Sequence, residues 1–184
     1  MKFDQIIILL AVIVFSACKS PDARKPMQQT SGTFIEQSVE RNKRIFEEEK
    51  VQIEDVITAN PSTNFIASES GFWYFYNEKN IEPTAVPKFG EKITFSFNVN
   101  RLDGTPILSE KENGIQTYRV DQSNQGLISG IRDGVKLMQV GETVTFLFPS
   151  YKAYGYYGIE NKLGTNIPIQ STVTLKSIEK SDNN

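Results

Sequence analysis

The sequence contains no histidine among its 184 residues, and this absence removes several kinds of chemistry. Without an imidazole there is no Ser–His or Cys–His nucleophile pair, no histidine general base and no histidine-ligated metal. The chain also has one cysteine, Cys18, so an intrachain disulfide and a cysteine-based zinc cluster are both excluded. Any catalysis must therefore use carboxylates, tyrosines, lysines or a bound cofactor, or else depend on the shape of a site and the removal of water. We expect no metal site.

An excess of charge of one sign is also missing. The chain has 20 lysines and arginines against 22 aspartates and glutamates, which gives a net charge of -2. This balance predicts no general attraction to nucleic acid. With 39% hydrophobic and 23% charged residues, the composition is typical of a soluble globular domain, and the length predicts one domain with an extension.

The longest hydrophobic run lies at the amino terminus, at residues 6–17. As a helix it would cover only ~18 Å of a ~30 Å hydrocarbon core, so it is typical of the apolar region of a secretory signal peptide. The next residues, Phe15-Ser16-Ala17-Cys18, resemble a bacterial lipoprotein cleavage box, although Phe15 stands where leucine is usual. The resemblance implies cleavage after residue 17 and acylation of Cys18, which would anchor the protein to a membrane. The alternative is a buried cysteine after an ordinary signal peptide.

Residues 18–32 are polar and lack apolar periodicity, so they are interpreted as a flexible tether.

Thr33 and Glu36 form a capping-box pattern, which predicts a helix from about Phe34 to about Thr58. The helix either packs on its own domain or pairs two copies, and we expect a monomer or a weak dimer. The acidic run 47–49 is interpreted as a solvated face. The apolar stripe of the helix is thin and contains Ile35, Val39, Phe46, Ile53 and Val56.

The rest of the chain has mostly the pattern of strands. Residues 72–76 are five consecutive aromatics, which favour a strand that packs in the core or at an edge over a ligand platform. Alternation at 93–99 and again near 144–148 and 172–178 predicts further strands, and a single short helix is predicted near 128–138. This pattern predicts an α+β fold in which the helix closes the concave face of an antiparallel sheet.

Several motifs in this half, in this order, resemble the FKBP-type peptidyl-prolyl isomerases. They are Gly90-Glu91, Asp103-Gly104, Gly126 to Gly130, Met138 to Glu142, Pro149-Ser150 with Ala153-Tyr154-Gly155, and Ile167-Pro168. The resemblance covers about half of the chain, from residue 89 to residue 180, after a leading segment of residues 33–88. The lipoprotein signal, the leading helix, the aromatic strand and the ending T-N-I-P-I are in addition similar to the FKBP-like gliding-motility-associated lipoproteins of the Bacteroidota.

The resemblance implies a half-barrel sheet wrapped around one short helix, with a hydrophobic pocket between them. The expected substrate is a polypeptide that contains a residue–proline bond, and neither a cofactor nor a covalent intermediate is required. The implied catalytic residues are Phe97, the backbone N–H of Ile128 and the hydroxyl of Tyr154. The implied substrate-binding residues are Ile107, Leu108, Tyr118, Leu127, Ile131, Ile167 and Leu175.

Three of these positions depart from the family pattern. Leu108 stands where the family has a pocket acid, Ile131 stands where an indole is usual, and Leu175 replaces an aromatic residue. The predicted pocket is therefore apolar, roomy and short of polar groups. The sequence leaves three functions open: a prolyl isomerase acting on secreted or envelope proteins, an isomerase-fold binding module or chaperone, and a structural lipoprotein of an envelope machine. In each case we expect an envelope protein on the periplasmic side, at the outer rather than the inner membrane.

Overall fold

The computed structural model describes residues 31–82, 84–122 and 126–180. Helix α1 spans Ser31–Ala59, so it begins before the predicted cap at Thr33 and takes in the end of the predicted tether. At its carboxyl end, the side-chain amide of Asn60 donates a 2.8 Å hydrogen bond to the Val56 carbonyl. The predicted signal peptide and Cys18 lie outside the described residues. In the part of the chain that is described, no helix is both long enough and apolar enough to cross a membrane.

One antiparallel sheet of eight strands makes up most of the remaining structure. Its main path has the order β1-β2-β7-β8-β3-β6, and β4 pairs with both β5 and β8. Together with the leading helix, this sheet confirms the predicted α+β class. The strands are β1 (Ile66–Ser68), β2 (Phe72–Glu78), β3 (Lys92–Phe97), β4 (Val99–Arg101), β5 (Pro106–Leu108), β6 (Ile115–Arg119), β7 (Thr143–Phe148) and β8 (Ile169–Glu179).

The aromatic strand β2 belongs to this same sheet. It pairs with β7, with Tyr74 opposite Phe146. The ring of Phe72 packs edge-on against Phe146 at 5.7 Å and against Phe148 at 5.3 Å between centroids. The sheet therefore does not begin at residue 89, where the sequence pattern starts to resemble the isomerases, but in the segment before it.

The long alternating stretch is divided between β3 and β4 by Asn98. The side-chain oxygen of Asn98 accepts a 2.8 Å hydrogen bond from the backbone N–H of Thr172, and its carbonyl accepts one of 2.6 Å from the hydroxyl of Ser171. These hydrogen bonds replace the regular ladder between β3, which pairs with β6, and β4, which pairs with β5. The apolar positions still alternate as predicted, and all of them are buried: Ile93, Phe95, Phe97 and Val99.

The prediction of a single helix in the second half of the chain was wrong, because a further short helix, α2, spans Glu110–Asn113. Ser109 caps it, because its hydroxyl oxygen accepts from the backbone N–H of Glu112 while the Glu112 carboxylate accepts from the backbone N–H of Ser109 at 2.8 Å. The bond from the Ser109 backbone, with help from Lys162, lowers the pKa of Glu112 to about 2. Four residues are too few to give a helical apolar period, so the helix left no periodic signal in the sequence.

Helix α3 (Ser129–Gly134) and the 3₁₀ turn that follows it, Val135–Leu137, form the predicted helix on the sheet. Ile131 and Val135 have no exposed surface. Two glycines let the helix approach β7 closely. A Cβ atom on Gly130 would lie 2.5 Å from the ring of Phe148 and 2.9 Å from the Lys152 carbonyl oxygen, and one on Gly134 would lie 2.8 Å from the ring of Phe146.

Replacing Gly130 by alanine is therefore expected to destabilise the protein. The new methyl group would meet both a buried ring and a backbone oxygen, and overpacking of this kind typically costs about 1–3 kcal/mol. The free energy of unfolding, measured by urea denaturation, should fall by that amount. An unchanged or increased stability would show that α3 does not pack on β7 at this distance.

Contacts between residues divide the chain into two compact units, with the boundary after Ser38. The unit that begins at Val39 contains the rest of α1 and the whole sheet. Ile53 is fully buried, whereas Val39 is 60% exposed, and Ile35 in the first unit is also exposed. The predicted stripe is thus covered only in the carboxyl half of α1.

The prediction of a solvated acidic face at residues 47–49 was wrong for Glu49, because only 2% of its surface is exposed. The reason is its contact with Ser150, described below.

Candidate functional site

The residues predicted to line the pocket all belong to one hydrophobic cluster or pack against it. They come from four strands, from α3 and the residues that lead into it, and from the loop after β7, so the sheet and α3 together bring distant parts of the sequence to one place. Their role in binding stays a prediction. The buried members are Phe97, Ile107, Tyr118, Leu127, Ile131 and Leu175, and the half-buried members are Leu108, Ile128, Tyr154 and Ile167.

Ile128 is the residue that caps the amino end of α3. Its backbone is extended (φ -60°, ψ 145°), and its carbonyl accepts a 3.2 Å hydrogen bond from the N–H of Arg132. Its own N–H makes no hydrogen bond to any of the described residues. Such an orphan donor is expected at the start of a helix, where the first N–H groups have no partner within the helix. It leaves a fixed donor beside the half-buried Ile128 side chain.

Tyr154 is held by a tight turn that follows β7. The carbonyl of Ser150 accepts hydrogen bonds from the N–H groups of Ala153 at 2.9 Å and Gly155 at 2.8 Å, one on each side of Tyr154. Gly155 has a φ of +52°, which glycine adopts without steric cost. The Tyr154 hydroxyl has no hydrogen-bond partner among the described residues and is not one of the fully enclosed polar atoms. Burial raises the pKa of Tyr154, so the hydroxyl stays protonated and able to donate at neutral pH.

The loop after Tyr154 packs on the cluster through Ile159, Leu163 and Ile167. Its two arms are joined by a 2.8 Å hydrogen bond from the N–H of Asn166 to the carbonyl of Gly155. Between them, Tyr156 is 74% and Tyr157 is 91% exposed, and their rings meet edge-on at 5.8 Å. These tyrosines are thus surface groups near the cluster rather than parts of it.

The residues predicted to line the pocket differ in how much surface they expose. Phe97, Ile107 and Leu127 retain between 6% and 9% exposure, whereas Tyr118 and the two aliphatic substitutes, Ile131 and Leu175, retain at most 1%. Those last three side chains were predicted to contact substrate, but in this conformation other side chains cover them. A group without exposed surface can touch a peptide only if its neighbours move, so the role of these three residues in binding stays a prediction.

Ion pairs connect α3, whose Ile131 belongs to the cluster, to neighbouring residues. Asp133 on α3 pairs with Lys152 at 2.9 Å and with Lys136 at 3.3 Å. Partial burial by itself would raise the pKa of Asp133, but the two ammonium groups outweigh it and the pKa lies below its ordinary value. The pair with Lys152 ties α3 to the turn that leads into Tyr154. Leu108, predicted to stand where the family has an acid, is half-buried and packs against the cluster.

The sequence interpretation missed Glu49 and Ser150, which join α1 to the turn before Tyr154. The Glu49 carboxylate accepts two hydrogen bonds from Ser150, one from its N–H at 2.7 Å and one from its hydroxyl at 2.6 Å. Beside this contact lies an open cavity of about 340 Å³ lined in part by Phe46, Tyr156 and Asn166. A signal was present, since Phe46, Glu49 and Ile53 are spaced three and four residues apart and so share one helix face.

Comparison of the sequence with known proteins points to one family. The sequence model of the family described as FKBP-type peptidyl-prolyl cis-trans isomerase matches residues 84–176. The probable FKBP-type peptidyl-prolyl cis-trans isomerase FkpA of Neisseria meningitidis serogroup B is 32% identical over 98 residues, which are 53% of this chain and 35% of that protein. FkpA of Aeromonas hydrophila is 27% identical over 161 residues, which are 86% of this chain and 58% of that protein. The chain thus spans between about a third and three fifths of these relatives.

Solved structures show the same fold. The crystal structure of FkpA from Escherichia coli superposes with a TM-score of 0.58 at 19% identity, over 98% of this chain and 84% of that one. A peptidyl-prolyl cis-trans isomerase from Pseudomonas syringae pv. tomato superposes with a TM-score of 0.56 at 16% identity, over 75% of this chain and 96% of that one. Because the family's sequence model also covers half of the residues, this chain belongs to the FKBP-type peptidyl-prolyl cis-trans isomerase family.

Proposed function

We propose that this protein is a peptidyl-prolyl cis-trans isomerase that acts on proline-containing polypeptides. The observation that carries the proposal is a pair of donors, the Ile128 N–H and the Tyr154 hydroxyl, at the edge of one apolar cluster and without partners among the described residues. A peptide carbonyl that enters this site would find donors for its oxygen and apolar contacts for its side chains.

The reaction requires no covalent change in the protein. Rotation about a residue–proline bond is slow because amide resonance must be lost, at a barrier of about 18–20 kcal/mol. Water stabilises the charge-separated planar amide, so an apolar site that removes water lowers the cost of twisting it. Donors that bind the twisted form better than the planar one add to this, and each ~1.4 kcal/mol of such preference increases the rate tenfold.

Proline-limited refolding of a model protein tests the proposal. The full chain, purified in detergent, should accelerate the slow refolding phase at micromolar concentration, and the accelerated phase should be the one that proline isomerisation limits. A slow phase whose rate does not change with added protein would refute the proposed activity.

Replacing Tyr154 by phenylalanine is expected to lower kcat/KM by about two- to tenfold, the loss that corresponds to one hydrogen bond of ~0.5–1.5 kcal/mol. The ring keeps its place against the cluster, and the hydroxyl has no bond to a described residue that the substitution could break. Stability should therefore stay within ±0.5 kcal/mol of the parent. Activity equal to that of the parent would exclude the hydroxyl as a donor to substrate.

An isomerase-fold binding module is the second candidate. It is favoured by Leu108, which leaves the cluster without the family's acid, and by Ile131 and Leu175, whose side chains have no exposed surface. Such a module would bind unfolded polypeptide and suppress its aggregation without accelerating refolding. The refolding experiment separates the two, because only the isomerase changes the rate of the proline-limited phase.

We further propose that the protein is anchored in the bacterial cell envelope through acylated Cys18 and faces the periplasm, at the outer rather than the inner membrane. The support is the sequence of residues 6–18, in which an apolar run ends in small residues and the chain's single cysteine. The resemblance to the gliding-motility-associated lipoproteins of the Bacteroidota makes secreted proteins of that machinery the proposed substrates.

Replacing Cys18 by serine is expected to move the protein from the membrane fraction to the soluble fraction, because the thiol that would carry the acyl chains is lost. Fractionation of cells that produce either form, followed by immunoblotting, measures the change. Retention of the serine variant in membranes to the same extent as the parent would contradict lipid anchoring at this residue.

A further inference from the structure

Glu49 is a buried carboxylate that lies far in sequence from its partner. It is 2% exposed, and both of its oxygens accept hydrogen bonds from Ser150, 101 residues away. A charged group inside a protein is costly unless its oxygens are hydrogen-bonded, and bonds to an ionised acceptor are stronger than neutral ones. The pair therefore holds α1 and the turn after β7 in one defined relation.

The hydrogen bonds continue from Ser150 toward the proposed site. Its carbonyl accepts from the N–H of Gly155 at 2.8 Å, and the carbonyl of Gly155 accepts from the N–H of Asn166, also at 2.8 Å. Tyr154 precedes Gly155, and Ile167 follows Asn166. An unbroken series of bonds thus runs from the Glu49 carboxylate to the neighbours of two residues on the rim of the apolar cluster.

We propose that Glu49 is a positioning residue for the isomerase reaction, acting through Ser150 on Tyr154 and Ile167. The inference rests on the proposed function. It makes helix α1 part of the site rather than a separate arm, because the helix supplies the carboxylate that fixes the turn. Small displacements of a group that contacts substrate reduce rates strongly, so a loosened turn should lower activity even where the fold is kept.

The neighbouring Tyr151 makes further contacts that hold the same turn. Its ring lies 5.8 Å from that of Phe46, and its hydroxyl donates a 3.0 Å hydrogen bond to the carbonyl of Gly71. We expect these contacts to keep the turn folded when Glu49 is changed. The carboxylate alone binds the backbone N–H of Ser150, whose carbonyl closes the turn around Tyr154.

The test compares Glu49→Gln with Glu48→Gln in the full chain, purified in detergent. Glutamine has the size of glutamate but only one accepting atom in its amide, so one of the Ser150 donors loses its partner. Glu48 is the matched control, because it is exposed and its ion pair is with Arg44 on the same helix. We expect kcat/KM in the refolding assay to fall about tenfold for Glu49→Gln and to stay unchanged for Glu48→Gln.

A double-mutant cycle separates positioning from a general structural role. If Glu49 acts through Tyr154, the loss caused by Glu49→Gln should shrink to less than about threefold when residue 154 is already phenylalanine. A merely structural effect would lower the active fraction by the same factor in both backgrounds. Ser150→Ala removes one of the two bonds from the other side, and it takes the place of Glu49→Gln in the cycle if that variant does not fold.

The outcomes are distinct. A parent protein without activity would refute the proposed function and this inference with it. An active parent in which Glu49→Gln equals Glu48→Gln, or loses the same factor in both backgrounds, would refute the positioning role alone. Amide hydrogen exchange adds a readout that does not depend on turnover: the N–H groups of Ala153 and Gly155 should exchange faster in Glu49→Gln than in the parent.

Discussion

Replacing Ile128 by aspartate should abolish catalysis, with a fall in kcat/KM of at least ~100-fold, or ~2.7 kcal/mol of transition-state stabilisation. The Ile128 side chain is half-buried against the apolar cluster, next to the N–H that is proposed to bind the substrate carbonyl. A carboxylate there would either lose its water, at a large free-energy cost, or keep that water inside the site, where it would hydrate the proline amide. It would also repel the carbonyl oxygen that the N–H is meant to receive.

The control is the same substitution at an isoleucine outside the site. Ile81 is 98% exposed, so Ile81→Asp adds the same charge without entering the cluster. It should keep full activity, and both variants should show the circular dichroism of the parent. An Ile128→Asp protein that is folded and as active as Ile81→Asp would mean that the reaction takes place elsewhere on the molecule.

Replacing Phe146 by alanine should have the largest effect on stability. Phe146 has no exposed surface, its ring is stacked on that of Phe148 at 5.4 Å between centroids, and it meets Phe72 edge-on. It also lies where Gly134 brings α3 against the sheet. Removing such a ring leaves a cavity between helix and sheet, and the free energy of unfolding is expected to fall by about 3–5 kcal/mol. Much of a typical domain's stability would be lost.

Phe89 provides the matched control for this stability measurement. Its side chain is 69% exposed, so Phe89→Ala removes an identical ring without opening a cavity, and stability should change by no more than ~0.5 kcal/mol. Urea denaturation of both variants measures the difference. A loss of less than 1 kcal/mol for Phe146→Ala would contradict the close packing of α3 on β7.

The fold could be predicted in outline because its signals are local and repeated. The alternation from Ile93 to Val99 indicated strands whose apolar side faces the core, and the spacing of Ile131, Val135 and Met138 indicated the helix that packs there. Both signals depend only on the period of the hydrophobic residues. The resemblance to the isomerases then supplied the connectivity, which periodicity does not contain.

Contacts between distant parts of the chain could not be predicted in this way. Nothing local shows that the strand beginning at Phe72 pairs with β7, or that Glu49, in a run of three glutamates, bonds to Ser150. The depth of each pocket residue was hidden for the same reason. Whether Tyr118 lies beneath other side chains or at the surface depends on how neighbouring elements pack, and residue type alone does not determine this.

Exchange spectroscopy on a short Leu-Pro peptide observes the proposed reaction at equilibrium, without a folding protein. Uncatalysed cis–trans exchange takes about 10–100 s. With catalytic amounts of the protein, we expect exchange at least ~100-fold faster than with the same amount of Ile128→Asp. Exchange at the uncatalysed rate with the parent protein would show that the protein is not a prolyl isomerase, and equal accelerated rates with both proteins would show that the site does not lie at Ile128.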